Sequence, residues 1–420
     1  MKKIGFYAGS FDPFTVGHLA IVCKALGSYD EVIVGVGVNP AKRGMFNIEE
    51  RAKLARQTID DLVEGCDNRH INGRTFLDYE VAAIEKIKKN PDIIKTTSYD
   101  DLTIDCAIRN NATALIRGER HAGDTVEETQ LENMNNALAE VRGVDIKTDR
   151  IMVPKTDLAY VSSSACKGLC DCGEYIAAQK FVAPAVHHEL MKKYLYGEFQ
   201  QIGKHFKLDD GEIDIHFNKL VKHYSQNRSH HNLSHIAYGL NQINIYKKSG
   251  RKIPNIIALK TAMFFHDTIN TGDKFDEERS AKMAAAFMHK ADKKDLNIVR
   301  KCIMATKHTD NKTTEDMSLE EKIIADIDLA VLGDNRNFGT YSQNIRKEYS
   351  HFDDGKYAAG RTAVLNKFLS KDKIFQTDYF ARFERKAKDN LKKERGHWLG
   401  VTQDMQSKKS RHAEKGGIGQ

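Results

Sequence analysis

The chain has 420 residues, of which 40% are apolar and 29% charged, so it is long enough for two or three cores and its composition excludes a wholly disordered chain. A net charge of +7 does not demand nucleic acid and suits phosphorylated small molecules equally well. No run approaches the roughly 18 apolar residues of a membrane span, the N-terminus lacks a signal-peptide core, and seven scattered cysteines fit reduced thiols, so a cytoplasmic protein is expected.

Short Val/Ile-rich runs, Lys3 to Tyr7 and Glu31 to Val38, flank a helical stretch from His18 to Leu26. That order of strand, glycine-containing turn, helix and strand predicts a parallel sheet. Apolar runs from Ala112 to Ile116 and from Asp149 to Val153 add further strands. Cys166, Cys170 and Cys172 lack a second ligand pair at finger-like spacing, so no zinc site is expected there. After about residue 196 helical periodicity takes over and predicts an all-α second half. The expected organisation is a first domain over 1–196, a linker over 197–212, a helical domain over 213–400 and a disordered tail over 401–420.

The segment Gly-Ser-Phe-Asp-Pro-Phe-Thr-Val-Gly-His, residues 9–18, lies where the first strand passes into a helix. Phosphate ligands sit at such junctions, because free backbone N–H groups and the helix dipole face the anion. Gly9 lets the backbone approach a phosphate, Gly17 packs the turn, and His18 can donate to a phosphoryl oxygen as charge builds there. Taken singly these features are bland. A histidine at a helix start is usually a capping or surface residue, a serine triplet a turn, and Lys42 or Arg120 a solvated charge.

Their order along the chain carries more. Thr15-Val16-Gly17-His18 resembles the Thr/Ser-x-Gly-His signature of the nucleotidylyltransferase superfamily, and the more specific likeness is to the bacterial phosphopantetheine adenylyltransferase family. Asn39-Pro40-Ala41-Lys42, Met45-Phe46 and Glu49-Glu50-Arg51 follow that family's order. So do Leu115 to Arg120, Glu128, Gln130-Leu131 and Met134-Asn135, then Val161 to Ser164 and Phe181 to Pro184. The matches cover most of residues 1–195.

The resemblance implies a Rossmann-like α/β nucleotidyltransferase domain that moves AMP from ATP to 4'-phosphopantetheine, with Mg2+ accompanying ATP, in a homo-oligomer. It implies that Ser10 and Lys42 hold the acceptor phosphate and that His18 stabilises the reacting α-phosphate, with Arg120 completing the catalytic set. Gly9, Ser10, Phe11, Gly17, His18, Gly118, Arg120, Glu128, Ser162, Ser163 and Ser164 would surround the nucleotide, and Asp101, Leu102 and Arg117 the acceptor. Residues 66–93 form an apparent insertion just before the acceptor turn. That leaves open nicotinamide or nicotinate mononucleotide as the acceptor, since their adenylyltransferases share the Gly-x-Phe-Asp-Pro, Gly-His and Ser-Ser elements. A nucleotide-sensing module that regulates the second half is a reading of another class, and the joint presence of Ser10, His18 and Lys42 argues against it.

The second half carries His231-Asn232-Leu233-Ser234-His235, then His266-Asp267, then Asp326-Ile327-Asp328. Imidazole and carboxylate from three helices suit Mn, Fe, Co, Ni, Zn or, less well, Mg. Any one histidine is more often packed or exposed than ligating, but the order His, His-Asp, Asp is similar to the HD superfamily of metal-dependent phosphohydrolases. The resemblance extends over about 213–396 through Glu277-Glu278-Arg279, Thr306-Lys307-His308, Arg346 to Tyr349 and Gly360 to Leu365. It implies an all-α HD-type domain that hydrolyses a phosphoester, with His235, His266, Asp267 and Asp326 as ligands. Glu277 or Glu278 would orient water, and Lys307, His308 or Arg361 would meet the phosphate. His230 and His231 are expected to be structural or to support the ligands. A helical domain that keeps this shape without the chemistry is the alternative.

Overall fold

The structure, a computed structural model, describes residues 2–38, 44–64, 70–71, 74–119, 125–152, 158, 160–225, 228–308 and 314–416. It divides into two compact units, Met1–Lys193 and Tyr194–Gln420.

The first unit opens with β1 (Ile4–Gly9), α1 (Val16–Ala25), β2 (Glu31–Gly37) and α2 (Ile48–Glu64). A short hairpin of β3 (His70–Ile71) and β4 (Arg74–Thr75) leads to α3 (Asp78–Lys89) and β5 (Ile94–Tyr99). Then come α4 (Thr103–Arg109), β6 (Ala114–Glu119), α5 (Thr125–Val141), β7 (Lys147–Met152), α6 (Ser163–Asp171), α7 (Tyr175–Ala178) and α8 (Pro184–His205). Five strands pair in parallel in the order β5-β2-β1-β6-β7. All seven residues of β2 are buried, as expected of a parallel strand covered on both faces. On one face Phe6, Ile33, Leu115, Ile104 and Ala107 form an apolar cluster.

From β1 the chain builds outward to β2 and β5, then returns to the other side of β1 with β6 and β7. The order therefore reverses between β1 and β6, and open parallel sheets bind ligands beyond the C-terminal strand ends at such a reversal. Those ends are Gly9 of β1 and Gly118-Glu119 of β6. The stretch 66–93, an apparent insertion in the sequence, contributes α3 to the body of this unit. Ala83, Ile84 and Ile87 of α3 are buried, and Lys86 Nζ donates to Leu26 O at 2.7 Å.

His187 on α8 is 5% exposed, and its Nε2 lies 2.9 Å from Tyr175 O. Burial disfavours its charged form, overrides the Tyr175 carbonyl and lowers its pKa to about 4. Between pH 6.5 and 4 the unfolded chain binds a proton here that the folded chain refuses, so the stabilisation present at neutral pH is lost as pH falls. The loss is about 3 kcal/mol at most. Urea unfolding of the full chain should show that His187→Gln loses less stability than wild type between pH 7 and pH 5. Equal losses would remove His187 as the cause.

The second unit is helical beyond α8: α9 (Asp210–Tyr224), α10 (Leu233–Lys248), α11 (Ile256–Phe265), α12 (Asp276–Phe287), α13 (Lys293–Ala305) and α14 (Leu319–Leu329). It ends with α15 (Phe338–Glu348), α16 (Asp354–Leu369), α17 (Asp378–Ala381) and α18 (Glu384–Gly416). Phe199, Phe264, Phe265 and Phe287 form an aromatic core, with Phe199 and Phe287 centroids 4.6 Å apart. Residues 197–212, expected as a linker that is either loose or a rigid helix, hold the end of α8 and the start of α9. One expectation changes. Of the tail expected to be disordered over 401–420, residues 401–416 are α-helical, because Gln, Met, Lys, Arg, Ala and Glu there are good helix formers, and 417–420 lie outside the described residues. No helix among the described residues is long and apolar enough to cross a membrane.

Candidate functional site

In the first unit, α1 starts at Thr15 with a capping box in which His18 takes the third helical position. His18 N–H faces Thr15 Oγ1 at 3.4 Å, and the Thr15 backbone N–H donates to His18 Nδ1 at 2.9 Å. The Thr-x-x-His spacing is thus a cap in which imidazole replaces the usual Glu or Gln. An N–H aimed at Nδ1 requires a lone pair there, so the neutral ring carries its proton on Nε2 and can donate from that side. The ring is 8% exposed and wedged against Phe11 and Phe14, with centroids at 5.0 and 5.4 Å. It is held in one orientation.

The serine segment meets this cap. A Cβ on Gly17 would lie 3.0 Å from Val161 O, a tight contact, so glycine eases the close approach of the two segments. Ser163 Oγ donates to Pro13 O at 2.8 Å, while Ser162 caps α6 by accepting from Ala165 N–H at 3.0 Å. Ser164 is exposed. The N-termini of α1 and α6 are thereby brought together, and two positive helix ends side by side favour an anion.

Other expected residues are placed as follows. Ser10 is half-buried, and its carbonyl accepts from Arg51 at 2.6 Å. Phe11, expected at the nucleotide, is 3% exposed and adopts φ 45°, with its ring packed on Tyr7, Phe14 and His18. Its side chain therefore serves the loop interior. Gly9 accommodates that ring, since a Cβ there would lie 2.8 Å from it. Gly118 sits at the end of β6, where a Cβ would lie 1.9 Å from Ile21 Cδ1, so a larger residue would force Ile21 of α1 to move. Asp101 pairs with Arg109 at 2.6 Å, Leu102 is 42% exposed, and Arg117 lies on β6 opposite Arg150 of β7. Lys42, Arg120 and the side chain of Glu128 lie outside the described residues.

Sequence reasoning missed Asp12 and Lys167, and quoted Arg51 without a role. Asp12 accepts from Met45 N–H, Phe46 N–H and Lys167 Nζ at 2.9, 3.0 and 2.9 Å. Burial opposes its ionisation, yet Lys167 and the two amides hold its carboxyl below the usual range. The signal for Asp12 was its place within residues 9–18; nothing local in sequence pointed to Lys167.

In the second unit, His235, His266, Asp267 and Asp328 converge, each offering one ligand atom within 4.8 Å of the others. His235 Nε2 lies 3.0 Å from His266 Nε2 and 3.1 Å from Asp328 Oδ1, and His266 Nε2 lies 3.2 Å from Asp267 Oδ2. His266 Nδ1–H donates to Met263 O at 3.0 Å, which turns Nε2 toward the cluster. Arg228 donates to the carbonyls of Asp267 and Thr268 at 2.5 and 3.0 Å and fixes the end of α11. Burial disfavours charge on His266, but Asp267 and Asp328 outweigh it and raise its pKa well above the ordinary value; burial likewise opposes ionisation of both aspartates, yet His266 and His231 hold Asp267 low, and His235, His266 and His308 hold Asp328 low.

Asp326, expected as the fourth ligand, is not in this cluster. Residues two apart on a helix point about 200° apart, so only one of the pair can face the histidines. Asp326 accepts from Gln376 N–H, Thr377 N–H and Thr377 Oγ1–H at 2.6, 2.8 and 2.7 Å, and burial pushes its pKa up to about 6. Asp328 takes that place in the cluster. Its Oδ2 faces His308 Nε2 at 2.7 Å, so His308 supports a carboxylate in the cluster. Arg361, expected at the phosphate, is instead bound to Glu394 at 2.9 and 3.0 Å, both side chains buried, and joins α16 to α18. Lys307 pairs with Glu278 at 3.1 Å and with Glu277 at 3.6 Å. His231 Nδ1 pairs with Glu348 at 3.0 Å, and Glu348 also accepts from His230 N–H.

A five-stranded parallel sheet, a reversal between β1 and β6, and an imidazole fixed where two helix N-termini meet define a nucleotidyltransferase of the cytidylyltransferase-like class, whose family model matches residues 6–169. The similarity reaches a protein named phosphopantetheine adenylyltransferase from Syntrophotalea carbinolica, 31% identical over 46% of this chain and 95% of that protein. Proteins of the same name from Clostridium novyi and Porphyromonas gingivalis are 33% and 32% identical, over 39% and 42% of this chain and 81% and 92% of theirs. Through its N-terminal part, the chain belongs to the phosphopantetheine adenylyltransferase family.

Proposed function

We propose that the first unit transfers AMP from ATP to 4'-phosphopantetheine, giving dephospho-coenzyme A and pyrophosphate. The observation that carries this reading is His18 itself: its Nδ1 is occupied by the Thr15 amide, which directs an Nε2–H donor away from the cap. An acceptor phosphate oxygen attacks the α-phosphorus in line, the bond to the bridging oxygen breaks, and pyrophosphate leaves with that electron pair. No enzyme nucleophile is needed, so catalysis consists of alignment and charge stabilisation. The paired ends of α1 and α6 favour the triphosphate, and Nε2–H stabilises charge on the α-phosphoryl oxygens. Lys42 and Ser10 hold the acceptor, and Mg2+ arrives as part of the ATP complex. A homo-oligomer is supported by α5, where Leu131, Met134 and Val141 expose 39, 48 and 76% along one stripe.

The test is the purified chain with Mg-ATP and a panel of 4'-phosphopantetheine, nicotinamide mononucleotide and nicotinate mononucleotide, with product masses measured. Dephospho-coenzyme A with stoichiometric pyrophosphate is expected. Reaction of a mononucleotide with 4'-phosphopantetheine inert would reassign the acceptor, and pyrophosphate from none would favour a nucleotide sensor.

For the second unit we propose a metal-dependent phosphohydrolase, supported by the convergence of His235, His266, Asp267 and Asp328. Two imidazoles and two carboxylates fit Mn, Fe, Co, Ni or Zn, and such an ion would supply Lewis-acid activation of water and phosphate. The protein's own part is to hold the donors: Met263 O orients His266, His308 orients Asp328, and Arg228 fixes the strand of backbone after His266.

A further inference from the structure

Asp12 does none of the chemistry above, yet it is 6% exposed and charged. A buried carboxylate is tolerated only where its partners are in place, because each missing donor leaves part of its desolvation cost uncompensated. The partners of Asp12 come from two distant stretches. Oδ2 accepts from Met45 N–H and from Lys167 Nζ, and Oδ1 accepts from Phe46 N–H. Lys167 lies on α6, a few residues after the serine triplet that caps and opens that helix. Met45 and Phe46 come shortly before α2, whose Arg51 is 7% exposed and donates to Ser10 O at 2.6 Å and Gly37 O at 3.0 Å.

The loop between β1 and α1 is therefore gripped at Ser10 from α2, and at Asp12 both from α6 and from the approach to α2. Ser163 adds a bond to Pro13 O. Ser10 belongs to the acceptor side of the proposed reaction and the serine triplet to the ATP side. One carboxylate thus stands between the groups that hold the two reactants.

We infer that Asp12 is a positioning residue that couples the serine-bearing helix α6 to the Ser10 and Met45-Phe46 segments, so that ATP and acceptor phosphate share one frame. The inference rests on the adenylyl-transfer reading. In-line displacement needs reacting atoms within about 3–3.5 Å, and a misplacement of about 1 Å costs roughly 100-fold in rate. Loss of coupling should accordingly appear in turnover far more than in binding.

The experiment uses the full chain with Asp12→Asn, Lys167→Met and the double variant. Turnover is measured with Mg-ATP and 4'-phosphopantetheine, or with whichever acceptor of the panel reacts; ATP affinity is measured by calorimetry, and folding by circular dichroism and thermal unfolding. Asp12→Asn is expected to lower kcat about 100-fold and Lys167→Met about 10-fold, with the ATP Kd moved by no more than about threefold. The double variant is expected to be no slower than Asp12→Asn, because both changes break one linkage. If Asp12→Asn does not fold, Lys167→Met, which keeps both amide bonds to Asp12, carries the test alone. Multiplying losses in the double variant, an ATP Kd that weakens in step with kcat, or unchanged kcat in a folded single variant would overturn the coupling. A wild-type chain inactive with every acceptor would instead overturn the transferase reading, and the coupling with it.

Discussion

His18→Gln is expected to lower adenylyl transfer by about 100- to 1000-fold while the protein melts within a few degrees of wild type. Glutamine is the ordinary third residue of a capping box, so its side-chain oxygen can accept from the Thr15 amide as Nδ1 does now. The substitution keeps the helix start and removes the imidazole N–H that the proposed reaction assigns to the phosphate. His18→Ala would remove both functions and could not separate them. Steady-state rates with Mg-ATP and the reactive acceptor, set beside thermal unfolding of the same samples, make the distinction. Retention of most of kcat by His18→Gln would mean that the residue is a cap and nothing more. Loss of stability with rate per folded molecule unchanged would say the same.

Asp328→Asn is expected to weaken Mn2+ or Zn2+ binding more than about 100-fold and to abolish metal-dependent release of phosphate from p-nitrophenyl phosphate, with adenylyl transfer intact. Asp326→Ala should do the opposite. It leaves the ion in place and destabilises the second unit by about 2 kcal/mol or more, because the Gln376 and Thr377 amides and the Thr377 hydroxyl lose their common acceptor. Metal content by mass spectrometry and titration calorimetry with the metal alone read the first effect, and urea unfolding the second. A chain that loses metal on Asp326→Ala but keeps it on Asp328→Asn would reverse the assignment. Binding of metal without phosphate release by wild type would leave a metal site without the hydrolase.

The sequence by itself determined what neighbouring residues can encode. Alternation of short Val/Ile runs with helical stretches determines a parallel sheet, because burial on both faces and a crossover helix leave that pattern in the chain. The Thr15 to His18 spacing determines a cap, since its two hydrogen bonds join residues one helical turn apart. His266 and Asp267 were legible as a pair for the same reason of proximity. The ordered blocks around His18 and Ser162 also carried the family, although each block alone was bland.

Only the tertiary structure decided which side chains meet across distance. Asp326 and Asp328 are alike in sequence, and the choice between them belongs to the rotation of α14 against α10 and α11. Arg361 reads as a phosphate ligand until Glu394 is found beside it on α18. Lys167 is an unremarked surface lysine in sequence and becomes the partner of a carboxylate more than a hundred positions earlier. Local propensity and capping act through bonds between near neighbours, whereas the orientation of a charged side chain depends on which distant helix is packed against it. That packing is a property of the whole fold.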